Sequence, residues 1–184
     1  MDIKTNFKTW LVLANHAQDL DGLHLETLTR PLKVGKHTTP ENLNEMTMGQ
    51  MIDLSELKTG SEMFYKVCEV LLGMPPKEVN KCAAVEVVRF VGWAAGTVKK
   101  INNLFDAVKN KPEKEEIQAG INRLNFGIFG LIDWYAQRMG ITDHDEVLHV
   151  HWGRVYQCLK MDNETGQYRK RLDKIYADNI KRKR

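Results

Sequence analysis

The 184-residue chain has few of the residue patterns that announce chemistry. Its three cysteines, Cys68, Cys82 and Cys158, are odd in number, far apart and without CxxC spacing, which excludes a disulfide framework and a zinc knuckle. They read as small buried hydrophobes in a reducing interior. No glycine-rich phosphate loop follows a strand pattern, no Ser-His-Asp order is present, and no paired carboxylates lie on a strand framework. No residue is therefore singled out as catalytic, no cofactor or metal is expected, and an enzyme ranks below an interaction protein. Long apolar runs are lacking too. The start, MDIKTNF, has no basic region followed by an apolar stretch, and Glu86, Arg89 and Asp133 cut the apolar segments 85–95 and 126–136. Neither secretion nor membrane insertion is expected.

What is present suits a folded domain. Hydrophobic residues make up 42% and charged residues 28%, within the range of ordinary soluble proteins and outside that of disordered ones. The charge is unevenly placed. From Tyr168 to Arg184 eight Lys or Arg stand against Asp173 and Asp178, a surplus of six within a whole-chain charge of +3, so the first 167 residues sum to −3. A slightly acidic body carries a basic tail.

The periodicity is helical almost throughout. Phe7, Trp10, Leu11, Ala14 and Ala17 repeat at three and four, giving a first helix that ends near Asp19–Gly22. Leu23 to Val34 is the exception: Leu23 and Leu25 alternate with His24 and Glu26 before Arg30-Pro31, predicting a short extended arm that pairs with itself or with a neighbour. Thr47 and Gln50 have capping-box spacing, and Leu43, Met46, Met51, Ile52 and Leu54 form the apolar face of the helix they open. Ser61 is placed to cap a helix over Glu62–Leu72, stopped by Gly73 and Pro75-Pro76, with a short turn over Lys77–Lys81. Ala83 to Val108 reads as a long central helix with Val85, Val88, Val91, Ala95, Val98, Ile101, Leu104 and Phe105 facing the core. Glu113–Met139 reads as one helix, Asp143–Lys160 as another capped by Thr142, and a last one starts at Asn163 or Thr165. The expected fold is all-α, a bundle of seven or eight helices with a short extended N-terminal arm and a basic C-terminal helix. Its segments are residues 1–37 (helix and arm), 38–162 (helical core) and 163–184 (basic helix).

Four groups invite a functional reading. His144, His149 and His151 lie near Asp143, Asp145 and Glu146, but positions 149 and 151 point about 200° apart on a helix and cannot share a metal unaided. His151 is expected on the packed side with Leu148, Trp152 and Val155, as a core or boundary histidine. Gly92, Gly96, Gly127 and Gly130 inside apolar helices read as sites of close helix crossing. Met46, Met48, Met51, Met63 and Met74 fit a core or an adaptable binding surface, core being preferred. On the tail, Tyr168, Leu172, Ile175 or Tyr176, and Ile180 share a face. Arg169, Lys170, Arg171, Lys174, Lys181, Arg182, Lys183 and Arg184 cover the others and are the candidate contacts to nucleic acid or to an acidic protein surface.

The stretch TTPENLNEMTMGQMIDL, followed by VCEVLLGMPPKEVNKCAAVEVVRF, resembles helical assembly proteins of tailed bacteriophages, especially tail assembly chaperones; the cues are Pro40, Thr47, Gln50, Leu54, Leu71, Gly73 and Val79. FGLIDWYAQRMGITDHDEVLHVHWGRVY, residues 129–156, is similar to the second half of some of them. The resemblance covers residues 38–160 and leaves out the first helix, the arm and the tail. It implies a non-enzymatic protein that binds other phage structural proteins through helical surfaces, as a virion subunit or as a chaperone that leaves, found in the virion or the host cytoplasm. A homo-oligomer is compatible with it, with the arm and tail helix as contact elements.

Overall fold

The computed structural model describes residues 5–16, 28–58, 60–109 and 112–182. The fold is mostly α: among the described residues there are nine α-helices, one 3₁₀ turn and a single two-stranded hairpin. The chain divides into two compact units, Met1–Asn102 and Asn103–Arg184. This division differs from the three segments read in the sequence, because the first helix and the hairpin fold with residues 38–102.

In the first unit, helix α1 (Phe7–His16) is capped by Asn6, whose Oδ1 accepts from the Thr9 amide at 2.9 Å. Its N-terminus is tied to the chain before the long helix: the Phe7 amide donates to the Cys82 carbonyl and the Ala84 amide to the Thr5 carbonyl, both at 2.9 Å. Hairpin strands β1 (Lys33–Val34) and β2 (His37–Thr38) pair antiparallel. The part of the arm read as Leu23–Thr27 lies outside the described residues, and the described part pairs with its own chain. Arg30 Nη1 donates to the Thr39 carbonyl at 3.1 Å and to Thr39 Oγ1 at 3.0 Å, and Arg89 Nε donates to the Thr29 carbonyl at 3.2 Å.

The hairpin turn has a strict requirement. Gly35 has φ +58°, and a Cβ built there would lie 2.9 Å from Cys82 Sγ. Cys82 is buried, so its sulfur has little room to retreat. Gly35→Ala is therefore expected to cost more than the roughly 1–2 kcal/mol of a left-handed non-glycine residue alone. Urea unfolding checks this, with Gly73→Ala as the comparison: Gly73 shares the positive φ, at +64°, but no atom lies within 4 Å of its added Cβ.

Helix α2 (Met48–Ser55) has the expected capping box: the Gln50 amide donates to Thr47 Oγ1 at 3.3 Å and the Thr47 amide to Gln50 Oε1 at 3.0 Å. Helix α3 (Ser61–Leu72) starts one residue earlier than expected, with Gly60 at the cap position and Ser61 inside the helix; Gly73 ends it in the left-handed conformation. Pro76 opens the short helix α4 (Pro76–Val79). The five methionines named above are all buried, as core.

Helix α5 (Ala84–Val108) has the length expected, with a rotated core face. Val87, Phe90 and Ala94 are buried beside Val88, Val91, Val98 and Ile101, whereas Val85 and Ala95 are half-buried and Leu104 is 42% exposed. Apolar residues on nearly every side of this helix left its inward face undetermined by spacing.

The second unit departs most from the sequence reading. Residues 113–139 form two helices: α6 (Lys114–Gln118) and α7 (Gly127–Met139), with a 3₁₀ turn at Ile121–Arg123 between them. Gly120 at φ +90° and Gly127 at φ +54° take left-handed positions that break the helix, and Asn125 Oδ1 accepts from the Gly127 amide at 3.1 Å. Gly127 has nothing within 4 Å of an added Cβ, and Gly130 meets only Phe126 of its own segment. Neither glycine marks a crossing of two helices. Gly92 and Gly96 are both buried.

Helix α8 (His144–Leu148) is capped by Asp143, whose Oδ1 accepts from the Asp145 amide at 2.9 Å; Thr142, the expected cap, lies before it. The expected helix 143–160 is broken at His149–His151. There the His149 amide donates to the Glu146 carbonyl and the Val150 amide to the Val147 carbonyl, i→i+3 bonds that close a turn instead of extending a helix. Helix α9 then runs unbroken over Trp152–Arg182, 31 residues. No helix begins at Asn163 or Thr165. Asn163 instead sends its side-chain amide to the carbonyl of Val108, the last residue of α5, satisfying an acceptor that a helix C-terminus leaves open.

Candidate interaction surfaces

No catalytic constellation forms among the described residues. Burial pushes the Cys68 thiol up to about 12, Cys82 adding to it, and burial also raises Cys82. Neither thiol is an available nucleophile at neutral pH. All three cysteines are free; Cys68 and Cys82 are buried as expected, whereas Cys158 is only half-buried. The histidines do not converge: His144 Nε2 lies 3.1 Å from Asp133 Oδ1 and its ring 5.1 Å from that of Phe129, while His149 and His151 are exposed. The expected packed position of His151 is thus corrected, since the turn at 149–151 carries it outward while Trp152 and Val155 are buried. Among the described residues no group of three or more His, Cys, Asp or Glu is placed to hold a metal. Among the described residues no helix is long and apolar enough to cross a membrane.

One open depression of about 540 Å³ in the first unit is lined by Asn6, Lys8, Lys77, Asn80 and Lys81. Tyr65 Oη donates to Asn80 Oδ1 at 2.9 Å beside it. Amines and amides line it, with no carboxylate or imidazole for proton transfer.

Nearby, an electrostatic clamp ties the hairpin to α4. Glu78 Oε1 lies 3.0 Å from both His37 Nε2 and Lys36 Nζ. The hydrogen bond from His37 first, and then that from Lys36, hold the Glu78 carboxyl below the usual carboxylate range. A carboxyl depressed in the folded state contributes stability above its unfolded pKa and loses it as pH falls through the folded one. Glu78→Gln is therefore expected to be less stable than wild type at neutral pH, with the gap closing below about pH 4.3, the ordinary glutamate value. Urea midpoints measured across that range show whether the gap closes.

The candidate contact residues lie on α9. Arg169, Lys170, Arg171, Lys174, Lys181 and Arg182 are all exposed, and Lys183 and Arg184 lie outside the described residues. At about 100° per residue, all but Arg169 fall within an arc of roughly 120°. The arc is partly neutralised: Lys170 Nζ lies 3.1 Å from Glu113 and 3.9 Å from Glu116 at the start of α6, and the hydrogen bond to Glu113 raises its pKa. The rest of the helix surface carries Met161, Tyr168, Ile175, Tyr176 and Ile180, each more than half exposed.

A second apolar surface was missed by sequence reasoning. Ile117, Ile121, Leu124, Phe126, Ile128 and Phe129 are exposed by 37–68%, within thirteen residues of chain. Read as one helix, 113–139 would put four of these, Ile117, Ile121, Leu124 and Ile128, on one face that could turn inward. The signal that could have found them is the interruption in INRLNFGIFG, where Asn125 and Gly127 make the Asx turn that replaces the helix. Clustered exposed apolar residues mark binding surfaces more often than isolated ones do. Comparison with known proteins finds no matching family model, no matching curated protein and no matching solved structure.

Proposed function

We propose that the chain is a non-enzymatic bacteriophage structural or assembly protein that works by binding other phage structural proteins through helical surfaces. The observation that supports this most is the exposed apolar segment Ile117–Phe129, six large side chains exposed by 37–68%. Such residues cost solubility unless another surface covers them, and Phe is a favoured anchor at protein interfaces. The resemblance of residues 38–160 to tail assembly proteins supplies the phage context. The test is quantitative mass spectrometry of tailed particles, and of assembly intermediates, produced by the genome that encodes the chain. A fixed copy number in particles makes it a virion subunit; presence only in intermediates makes it a chaperone; absence from both contradicts the proposal.

A second reading rests on the exposed basic arc of α9, which suits phosphate contacts. It requires DNA retention whose affinity falls steeply with salt and disappears on truncation after Gly166. Under the protein-binding reading that truncation leaves binding through residues 117–129 intact.

A further inference from the structure

We infer that the C-terminal part of α9, from Met161 onward, pairs with the same segment of a second copy of the chain as a parallel two-stranded coiled coil. This deepens the protein-binding reading, on which it rests for the assembly role, by naming one partner.

The spacing of the helix is the first support. Thr165, Leu172 and Asn179 fall at every seventh position and alternate with Met161, Tyr168, Ile175 and Arg182, the a and d spacing of a heptad seam. Helix α9 is continuous through all of them. Met161, Tyr168 and Ile175 are 58%, 56% and 55% exposed, so the seam is open.

The manner in which the helix is held is the second. Three of its contacts with the rest of its own unit come from the opposite side: Tyr156 packs edge-on against Phe105 with centroids 5.5 Å apart, Asn163 donates to the Val108 carbonyl, and Lys170 pairs with Glu113; Arg138 of α7 reaches the near side only at Cys158 and Asp162, at the start of the segment. Residues 156, 163 and 170 are themselves seven apart, and they occupy the f position, which points away from an a/d seam. Beyond Asp162 the helix is anchored by its back and presents Tyr168 and Ile175.

Charge complementarity chooses the occupant. In a parallel pair each g residue meets the e residue five positions later on the other strand. Here Glu164 at g would face Arg169 at e, and Arg171 at g would face the ring of Tyr176 at e, an ion pair and a cation–π contact made twice by the symmetry. The sequence repeats the opposite-charge pattern at Asp178 and Lys183, the latter outside the described residues. Lys170, Lys174 and Lys181 take f and c positions, away from the seam, whereas Arg182 at d meets its own copy and opposes pairing at the end of the helix. Asn179 at an a position is the residue type that fixes two strands in parallel register, at some cost in stability.

Sedimentation velocity of the full chain over a range of micromolar concentrations tests this, with circular dichroism to confirm that each variant keeps its helix content. The wild type is expected to dimerise. Glu164→Arg should raise the dimer Kd about fivefold or more, and the double exchange Glu164→Arg with Arg169→Glu should restore it to within about twofold, since each reversed pair occurs twice in the dimer. Asn179→Cys in a Cys158→Ser background should give a disulfide-linked dimer on mild oxidation, because a-position Cβ atoms of a parallel pair meet within bonding reach; antiparallel strands would hold them far apart. A monomer at every concentration overturns the inference, as does a dimer indifferent to both the charge exchange and the Asn179→Cys cross-link. Either result leaves the copy number of the chain in particles, which tests the phage reading, to be judged by its own outcome.

Discussion

Phe64→Ala is expected to destabilise the first unit by about 3–5 kcal/mol, the range for removing a fully buried phenylalanine. Phe64 is 1% exposed and joins α3 to α1 through two rings: its centroid lies 5.4 Å from Phe7 and 5.6 Å from Trp10, the latter edge-on. Phe7 also packs against Trp10 and Tyr65, so the cluster is the principal aromatic attachment of the N-terminal helix. Deleting Phe64 removes its transfer free energy and leaves a cavity whose lining belongs to two helices, while the aromatic pairs add about 0.5–1.5 kcal/mol each. For a unit of this size each kcal/mol shifts the melting midpoint by about 4–8 °C. Leu13→Ala, on the exposed side of α1 at 62% exposure, is expected to stay within about 0.5 kcal/mol. Urea unfolding followed by tryptophan fluorescence separates the two. A Phe64→Ala loss no larger than that of Leu13→Ala contradicts the packing.

Val155→Asp is expected to have a comparable or larger effect on the second unit. Val155 is fully buried on the first turns of α9, where Trp152 and Tyr156 pack against Phe105 at 6.4 and 5.5 Å. A carboxylate placed there has no cation to meet it among these aromatic neighbours, and an uncompensated buried charge costs about 3 kcal/mol or more even after relaxation. Arg154→Asp, one residue earlier and exposed, is the control and is expected to stay near neutral. Hydrogen exchange is the preferred readout. Amides of α7 and of the first turns of α9 should lose protection in Val155→Asp and keep it in Arg154→Asp. Equal protection in both variants contradicts the burial of Val155.

These two sites also show where local sequence chemistry sufficed and where it did not. Thr47 and Gln50 were legible because a capping box is settled by four residues, and Gly73 with Pro75-Pro76 was legible because those residues have few other conformations to adopt. The methionine core followed from spacing on short amphipathic helices. The face of α5 did not, since Val87 and Phe90 compete with Val85 and Leu104 for the interior and only the packing of other elements decides. The end of the chain was misread for a different reason. Asn163 has the chemistry of a helix cap, and its amide does satisfy a helix terminus, but that terminus is the distant end of α5. The exposed segment 117–129 escaped because its apolar residues fit a helical period that Gly120 and Gly127 interrupt. Of the candidate site, the basic residues of α9 were found by composition, whereas the continuity that gives their helix an unbroken heptad seam was not.

The most direct test of protein binding through the second unit is the double variant Phe126→Asp with Phe129→Asp, at side chains 68% and 57% exposed. Its melting midpoint and its incorporation into tailed particles or assembly intermediates are to be measured beside wild type. Interface anchors of this kind contribute about 2 kcal/mol or more each, so incorporation should fall by more than about tenfold while the melting midpoint stays unchanged. Incorporation at the wild-type level by a folded variant would show that this surface binds no assembly partner.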